Sequence, residues 1–206
     1  MAEHQPSRRL RSAVFLDRDG TIIEDVGFLR RLDQIAVFPW STDAIRCLNR
    51  AGLPVVVTTN QAGVARGFFT EAFIDDTHRE LSARLQRGGA RVDAYYYCPH
   101  HPTKAKVGEY AVACDCRKPG RGMIDKAARD LGLDPARSFV VGDTWLDVGM
   151  ARAAGARGIL VGTGPGAEEE RSRRPTDLTA DAIVDNLAAA VSWILLTLKS
   201  VNKPEL

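Results

Sequence analysis

Six short runs of strand-forming residues alternate with segments whose apolar residues recur at helical spacing, and this alternation restricts the fold more than any other feature. The runs lie at 13–16, 54–58, 92–97, 139–141, 158–161 and 182–184. Most are apolar on successive residues, so both faces need cover, which is the signature of a parallel sheet between two layers of helices. Helices are marked by Ala44, Ile45 and Leu48; by Phe73, Ile74, Leu81 and Leu85; by Met123, Ile124, Ala127 and Leu131; by Leu146, Met150 and Ala154; and by Leu187, Val191, Ile194 and Leu198. Ser41 and Thr70 read as helix caps, and Gly52, Gly132 and Gly155 as stops. The expected fold is α/β, a three-layer Rossmann-like sandwich with a mostly parallel central sheet. It occupies residues 12–200 as one domain, with solvated tails at 1–11 and 201–206 and a mobile loop at 162–176. No large insertion separates the early motifs, so no large cap domain is expected.

The chain of 206 residues carries 28 Lys+Arg against 26 Asp+Glu, a net charge of +2. That balance, without a long basic run, counts against a nucleic-acid binder. The apolar run at 191–198 is far shorter than the roughly 20 residues that cross a bilayer. The opening MAEHQPSRRLRS lacks the apolar core of a secretory leader. A cytoplasmic monomer, touching neither nucleic acid nor membrane, is the expectation.

Three polar clusters directly follow strands: Asp17-x-Asp19-Gly20-Thr21, Thr58-Thr59-Asn60-Gln61 and Gly142-Asp143. In an open parallel sheet, ligands bind beyond the carboxyl ends of strands at a switch point, so the three should converge on one crevice. Asp17 and Asp19, two apart, leave an extended backbone on the same side, with Arg18 directed away. Neighbouring carboxylates repel unless one is protonated or a cation lies between them, and a hard divalent ion with Asp143 as a further ligand answers that conflict.

These residues carry a family resemblance. Phe15-Leu16-Asp17-Arg18-Asp19-Gly20-Thr21 resembles the first motif of haloacid dehalogenase superfamily phosphatases, and the match continues through Thr59, Lys118 in Cys116-Arg117-Lys118-Pro119, and Gly142-Asp143-x-x-x-Asp147. Within the superfamily the chain is similar to the bacterial heptose bisphosphate phosphatases, through Thr59-Asn60-Gln61-Ala62-Gly63, Ala65-Arg66-Gly67 and the Cys/His segments; the histidinol-phosphate phosphatases are the neighbouring family. The resemblance implies that Asp17 is the nucleophile, that Asp19 is the general acid/base, and that Mg²⁺ is held by Asp17, the Asp19 main-chain carbonyl and Asp143. It further implies phosphate contacts from Thr59 and Lys118, and substrate contacts from Asp25, Val26, Gly27, Phe28, Asn60, Gln61, Ala62 and Arg117. Asp147 is read as orienting its neighbours. One position departs from the family: a lysine usually follows Gly142-Asp143, and here Thr144 stands there.

Of four cysteines, Cys98, Cys114 and Cys116 lie close together in sequence, with His100 and His101 beside the first. Four such ligands suffice for a closed tetrahedral Zn²⁺ site, which leaves no position for water and is structural. Spacing alone allows either histidine; the resemblance selects Cys98, His100, Cys114 and Cys116. Zinc would then pin the loop 98–116 and deliver Arg117 and Lys118 to the crevice. Cys47, on an apolar helical face, reads as core, His78 as surface, and Tyr95, Tyr96 and Tyr97 as strand packing. Arg66, Lys104 and Lys106 are further candidates for reading the substrate. The expected activity is Mg²⁺-dependent hydrolysis of a small phosphorylated sugar. Histidinol-phosphate hydrolysis is the enzymatic alternative, and a zinc-containing binding module without catalysis is the alternative of another class.

Overall fold

The computed structural model describes residues 10–165 and 167–201. Six strands form the sheet: β1 (Val14–Leu16), β2 (Val55–Asn60), β3 (Ala94–Cys98), β4 (Phe139–Gly142), β5 (Arg157–Val161) and β6 (Ala182–Val184). Their order is β3-β2-β1-β4-β5-β6, and every pairing is parallel. The helices are α1 (Ser41–Arg50), α2 (Glu71–Arg87), α3 (Gly122–Leu131), α4 (Trp145–Ala154), α5 (Ala167–Ser172) and α6 (Leu187–Val201). The chain leaves β1 towards β2 on one side and later returns to β4 on the other. The switch point of the sheet therefore lies between β1 and β4, where Val14 pairs with both Val55 and Phe139.

Alternation along β1 divides the core. Val14 and Leu16 join a layer with Ile45, Leu48, Leu81, Leu85, Val191 and Ile194, whereas Ala13 and Phe15 join Met123, Ile124, Ala127, Met150 and Ala154 on the opposite face. Both layers are fully desolvated around β1, so each large side chain there contributes about 1.5–3 kcal/mol of burial. The result holds the carboxyl end of β1 rigidly in the middle of the molecule.

Local rules account for most helix ends. Thr70 caps α2 by accepting from the Phe73 amide at 3.2 Å. Gly132 and Gly155 end α3 and α4 in left-handed conformations at φ 66° and 72°. Four expectations fail. Ser41 is the first residue of α1 and not its cap; its hydroxyl is buried and donates to the Ile22 carbonyl. Cys47 lies on the exposed side of α1. The segment 162–176 contains α5, fastened to α4 where Glu170 accepts from the Trp145 amide at 2.9 Å and its own carbonyl accepts from the indole at 2.7 Å. Arg11 is not a free tail residue, because its amide bonds Gly132 and its carbonyl takes the Asp134 amide. The remainder of the two expected tails, residues 1–9 and 202–206, lies outside the described residues. No helix among the described residues is long and apolar enough to cross a membrane.

Candidate active site

Asp17 begins where β1 ends. Its amide donates to the Val141 carbonyl of β4 at 2.9 Å, so two strands fix its backbone. Asp143 follows β4, and Asp147 lies one turn into α4. Carboxylate oxygens of Asp17, Asp143 and Asp147 all fall within 4.8 Å of one another, and all three residues are buried or nearly so. Two glycines make that approach possible. A Cβ on Gly20 or on Gly164 would sit 2.3 Å or 1.9 Å from an Asp143 carboxylate oxygen, closer than atoms can stand. Gly20 also needs its φ of +78° for the turn out of β1.

One cation answers this charge directly. Lys118, 4 % exposed, donates from Nζ to Asp17 at 2.7 Å and to Asp147 at 2.6 Å, while its amide donates to Asn60 Oδ1 at 3.0 Å. Burial by itself would lower the Lys118 ammonium, but the Asp147 and Asp17 carboxylates outweigh it and raise it above the usual lysine range. Asp17 and Asp143 are both pushed well above the ordinary carboxylate range, chiefly by burial. For Asp143 the next contribution is repulsion from Asp17 and Asp147. Three carboxylates share one ammonium, which is the charge deficit a divalent ion would fill.

Asp19 stands apart from this group. Its carboxylate accepts from Gln61 Nε2 at 2.9 Å and from the Arg18 guanidinium, whose shortest contact is 2.9 Å. Arg18, read from the alternation as directed away, lines the same crevice as Asp17 and Asp19. It is 2 % exposed, which the two-residue alternation did not predict. Gln61 also donates to Thr59 Oγ1 at 2.9 Å. Thr144, at the position where a lysine was expected, caps α4: its hydroxyl donates to Asp147 Oδ2 at 2.8 Å and holds that carboxylate towards Lys118.

The crevice has a volume of ≈ 170 Å³, below the roughly 300 Å³ at the small end of ligand pockets. Asp25, Gly27, Phe28, Thr59, Asn60, Gln61 and Ala62 line it with the charged group. Val26 is 46 % exposed and outside the wall. Asp25 accepts from the Gly27 amide at 2.7 Å and shapes its own loop. Arg117 is not in the wall either; it donates to the His100 carbonyl at 3.3 Å. None of residues 98–116 lines the crevice among the described residues; that segment reaches it only through Lys118, which follows it. Thr144, directly after Asp143, lines it too, as do Phe69 and Leu146, whose local pattern gave no sign of this.

The Cys/His group is a second, separate cluster. Cys98 and Cys114 Sγ are 3.5 Å apart and Cys114 and Cys116 Sγ 3.3 Å. His100 Nδ1 lies 3.7 Å from Cys98 and 3.4 Å from Cys116. A zinc tetrahedron with bonds of about 2.3 Å has sulfur–sulfur edges of roughly 3.8 Å, so four donors at these spacings fit one ion closely. His101 is turned away, its Nδ1 accepting from the Thr103 and Lys104 amides. Geometry therefore distinguishes two histidines that spacing did not.

His78 is buried, contrary to the surface position expected of it. It stacks on Tyr95 with ring centroids 4.5 Å apart and meets Arg18 Nη1 at 3.3 Å. The tyrosines pack as strand residues, with Tyr97 and Tyr110 both donating to Glu71 at 2.7 Å.

Residues 115–190 match the HAD-hydrolase-like family model. The chain is 40% identical over 187 residues to the D-glycero-D-manno-heptose-1,7-bisphosphate 7-phosphatase of Thermosynechococcus vestitus, covering 89% of this chain and 95% of that one. It is 40% identical over 177 residues to the D-glycero-beta-D-manno-heptose-1,7-bisphosphate 7-phosphatase of Escherichia coli K12, covering 85% and 90%. Its fold superposes with a TM-score of 0.79 on the D,D-heptose 1,7-bisphosphate phosphatase of B. bronchiseptica, crystallised with magnesium and phosphate. That protein is 34% identical and is covered over 99% of its length by 90% of this chain. A parallel sheet with acidic groups meeting at its switch point, and identity sustained across nearly the whole of such relatives, establish that this chain belongs to the heptose bisphosphate phosphatase family of haloacid dehalogenase-like hydrolases.

Proposed function

We propose that the protein is a Mg²⁺-dependent phosphomonoesterase that removes the 7-phosphate of D-glycero-D-manno-heptose 1,7-bisphosphate. The supporting observation is the meeting of Asp17, Asp143 and Asp147 around Lys118 at the switch point, in a chain matched along its length to relatives named for that activity. Mg²⁺ fits this donor set. The Asp17 and Asp143 carboxylates would hold the ion as hard oxygen ligands, with the Asp19 main-chain carbonyl as the further ligand that the family resemblance implies, and the three carboxylates of the group outnumber the ammonium three to one. When bound, the ion supplies positive charge against the incoming phosphate.

The residues of the chain perform the displacement. Asp17 attacks phosphorus; a carboxylate–phosphorus bond forms, the phosphorus–sugar oxygen bond breaks, and Asp19 gives its proton to the departing oxygen. Water then attacks the aspartyl phosphate, Asp19 takes a proton from it, and Asp17 is released with inorganic phosphate. Lys118 has three ammonium protons, two of them committed to Asp17 and Asp147, and the third is free for a phosphate oxygen. Thr59 accepts from Gln61, so its own hydroxyl proton is free for another.

Beyond the crevice mouth, Arg117 serves the outer part of the substrate together with Arg66 and Lys104. These charges, after burial, hold His101 below its usual range. Zn²⁺ at Cys98, His100, Cys114 and Cys116 is structural, tying the segment that leads into Lys118. The catalytic unit is a single domain over 12–200 without a cap, acting as a cytoplasmic monomer.

Phosphate release from heptose 1,7-bisphosphate with Mg²⁺, set against EDTA, Asp17→Asn and histidinol phosphate as competing substrate, tests this reading. Clear preference for histidinol phosphate would overturn the substrate; release that survives Asp17→Asn would overturn the chemistry.

A further inference from the structure

The buried pair of Arg18 and His78 has no part in the chemistry described so far. Arg18 is 2 % exposed and His78 6 % exposed, and the two come together from positions 60 residues apart. A guanidinium is always a donor, so the His78 Nε2 that meets Arg18 Nη1 at 3.3 Å is the unprotonated nitrogen of a neutral ring. Burial first, and the Arg18 charge second, lower His78 to about 3, in keeping with that neutral form. Stacking on Tyr95, whose hydroxyl accepts from Ser82 at 2.9 Å, fixes the ring plane. Arg18 is therefore seated on a rigid acceptor.

The other edge of the guanidinium faces Asp19, and its contacts are unequal. Asp19 Oδ2 takes the two short bonds, 2.9 Å from Arg18 Nη2 and 2.9 Å from Gln61 Nε2. Asp19 Oδ1 takes only long contacts of 3.2 and 3.3 Å from Arg18. One oxygen is anchored from two directions and the other is loosely held.

We propose that Arg18, braced by His78, is a positioning residue for Asp19, anchoring Oδ2 so that Oδ1 is the oxygen that carries the proton to and from the reacting oxygen. This rests on the acid/base role given to Asp19 above. Sequence conceals it, because an arginine between two aspartates reads as a residue facing away, and its brace lies 60 residues on, in α2.

The role separates from simple structural support by its dependence on the leaving group. A sugar alkoxide needs a proton to depart, whereas 4-nitrophenolate departs without one, and kcat/KM covers only the steps up to that departure. For Arg18→Gln, kcat/KM on heptose 1,7-bisphosphate is expected to fall about 10²-fold, and on 4-nitrophenyl phosphate less than about threefold. His78→Leu gives a smaller loss with the same bias, and His78→Gln, whose amide oxygen also accepts from Arg18, recovers most of it. Equal losses on both esters, or equal rates for His78→Leu and His78→Gln, would sink the proposal. A wild-type enzyme that cleaves neither ester would instead remove the reading on which it rests.

Discussion

Two clusters of metal-ligating side chains lie in this molecule, and they differ in what they leave unfinished. At the switch point three carboxylates face one ammonium, in a crevice open to solvent. In the Cys/His group four donors stand 3.3 to 3.7 Å apart along the measured edges, with no further protein group or open side required. The first holds an excess of charge that a cation and a phosphate can use; the second has the geometry of a finished tetrahedron. The lesson is that a donor set with charge left over keeps the capacity to take a further ligand, whereas four donors that close around one ion would leave no position for one.

The comparison breaks most sharply at Asp17. Asp17→Asn removes the attacking oxygen, and turnover should fall at least ~10³-fold, while thermal unfolding should shift upward or stay level because a buried repulsion is relieved. A lower melting temperature would mean that the crevice is structural after all. Lys118→Met leaves Asp17 and Asp147 facing each other without compensation and should cost about 3–5 kcal/mol of stability in EDTA. Mg²⁺ should return part of that loss in a urea titration, and no response to Mg²⁺ would argue against an ion between those carboxylates.

The Cys/His group should answer in the opposite sense. Cys114→Ser should release zinc, measured by atomic absorption, with a stability loss of roughly 2–4 kcal/mol. Turnover should fall much less than for Asp17→Asn, because only the approach to Lys118 loosens. The smallest effect is read by pH. His78 in the folded chain is lowered to about 3 against an ordinary 6.5, so its contribution is complete above pH 6.5 and is lost as the pH falls towards 3, where the unfolded chain binds a proton that the folded chain refuses. His78→Gln should remove that slope, gaining up to about 2 kcal/mol relative to wild type at pH 5. Parallel pH curves for the two proteins would mean that His78 is not held neutral.

Much of the site was legible because strand periodicity and post-strand motifs obey local rules. The six apolar runs became six strands, and the polar residues after β1, β2 and β4 met where a parallel sheet places them. Lys118 was legible through its motif and not through any spacing, since it reaches Asp17 across 101 residues. Arg117 adjoins Lys118 in sequence, but its guanidinium bonds the His100 carbonyl outside the crevice wall, a placement that sequence adjacency does not give. Cys47, on a face that looked apolar, was misread because helix packing decides which face is covered; His78, four residues after Ile74 and three before Leu81, lies on the apolar stripe that marked α2, so the surface reading overlooked a signal the sequence carried.

By itself, then, the sequence determined the layered α/β architecture, the acidic groups at the strand ends and a cluster of three cysteines beside two histidines, because each follows from periodicity or from residues close together in the chain. Tertiary structure alone decided that Asp19 turns to Arg18 and Gln61 while Asp147 joins Asp17 and Asp143, that His100 faces the cysteines and His101 does not, and that α5 fastens to α4 through Glu170. Those outcomes turn on which remote partner reaches a side chain first and on what burial does to its charge. Neither quantity is written in local order; both arise only when distant segments pack.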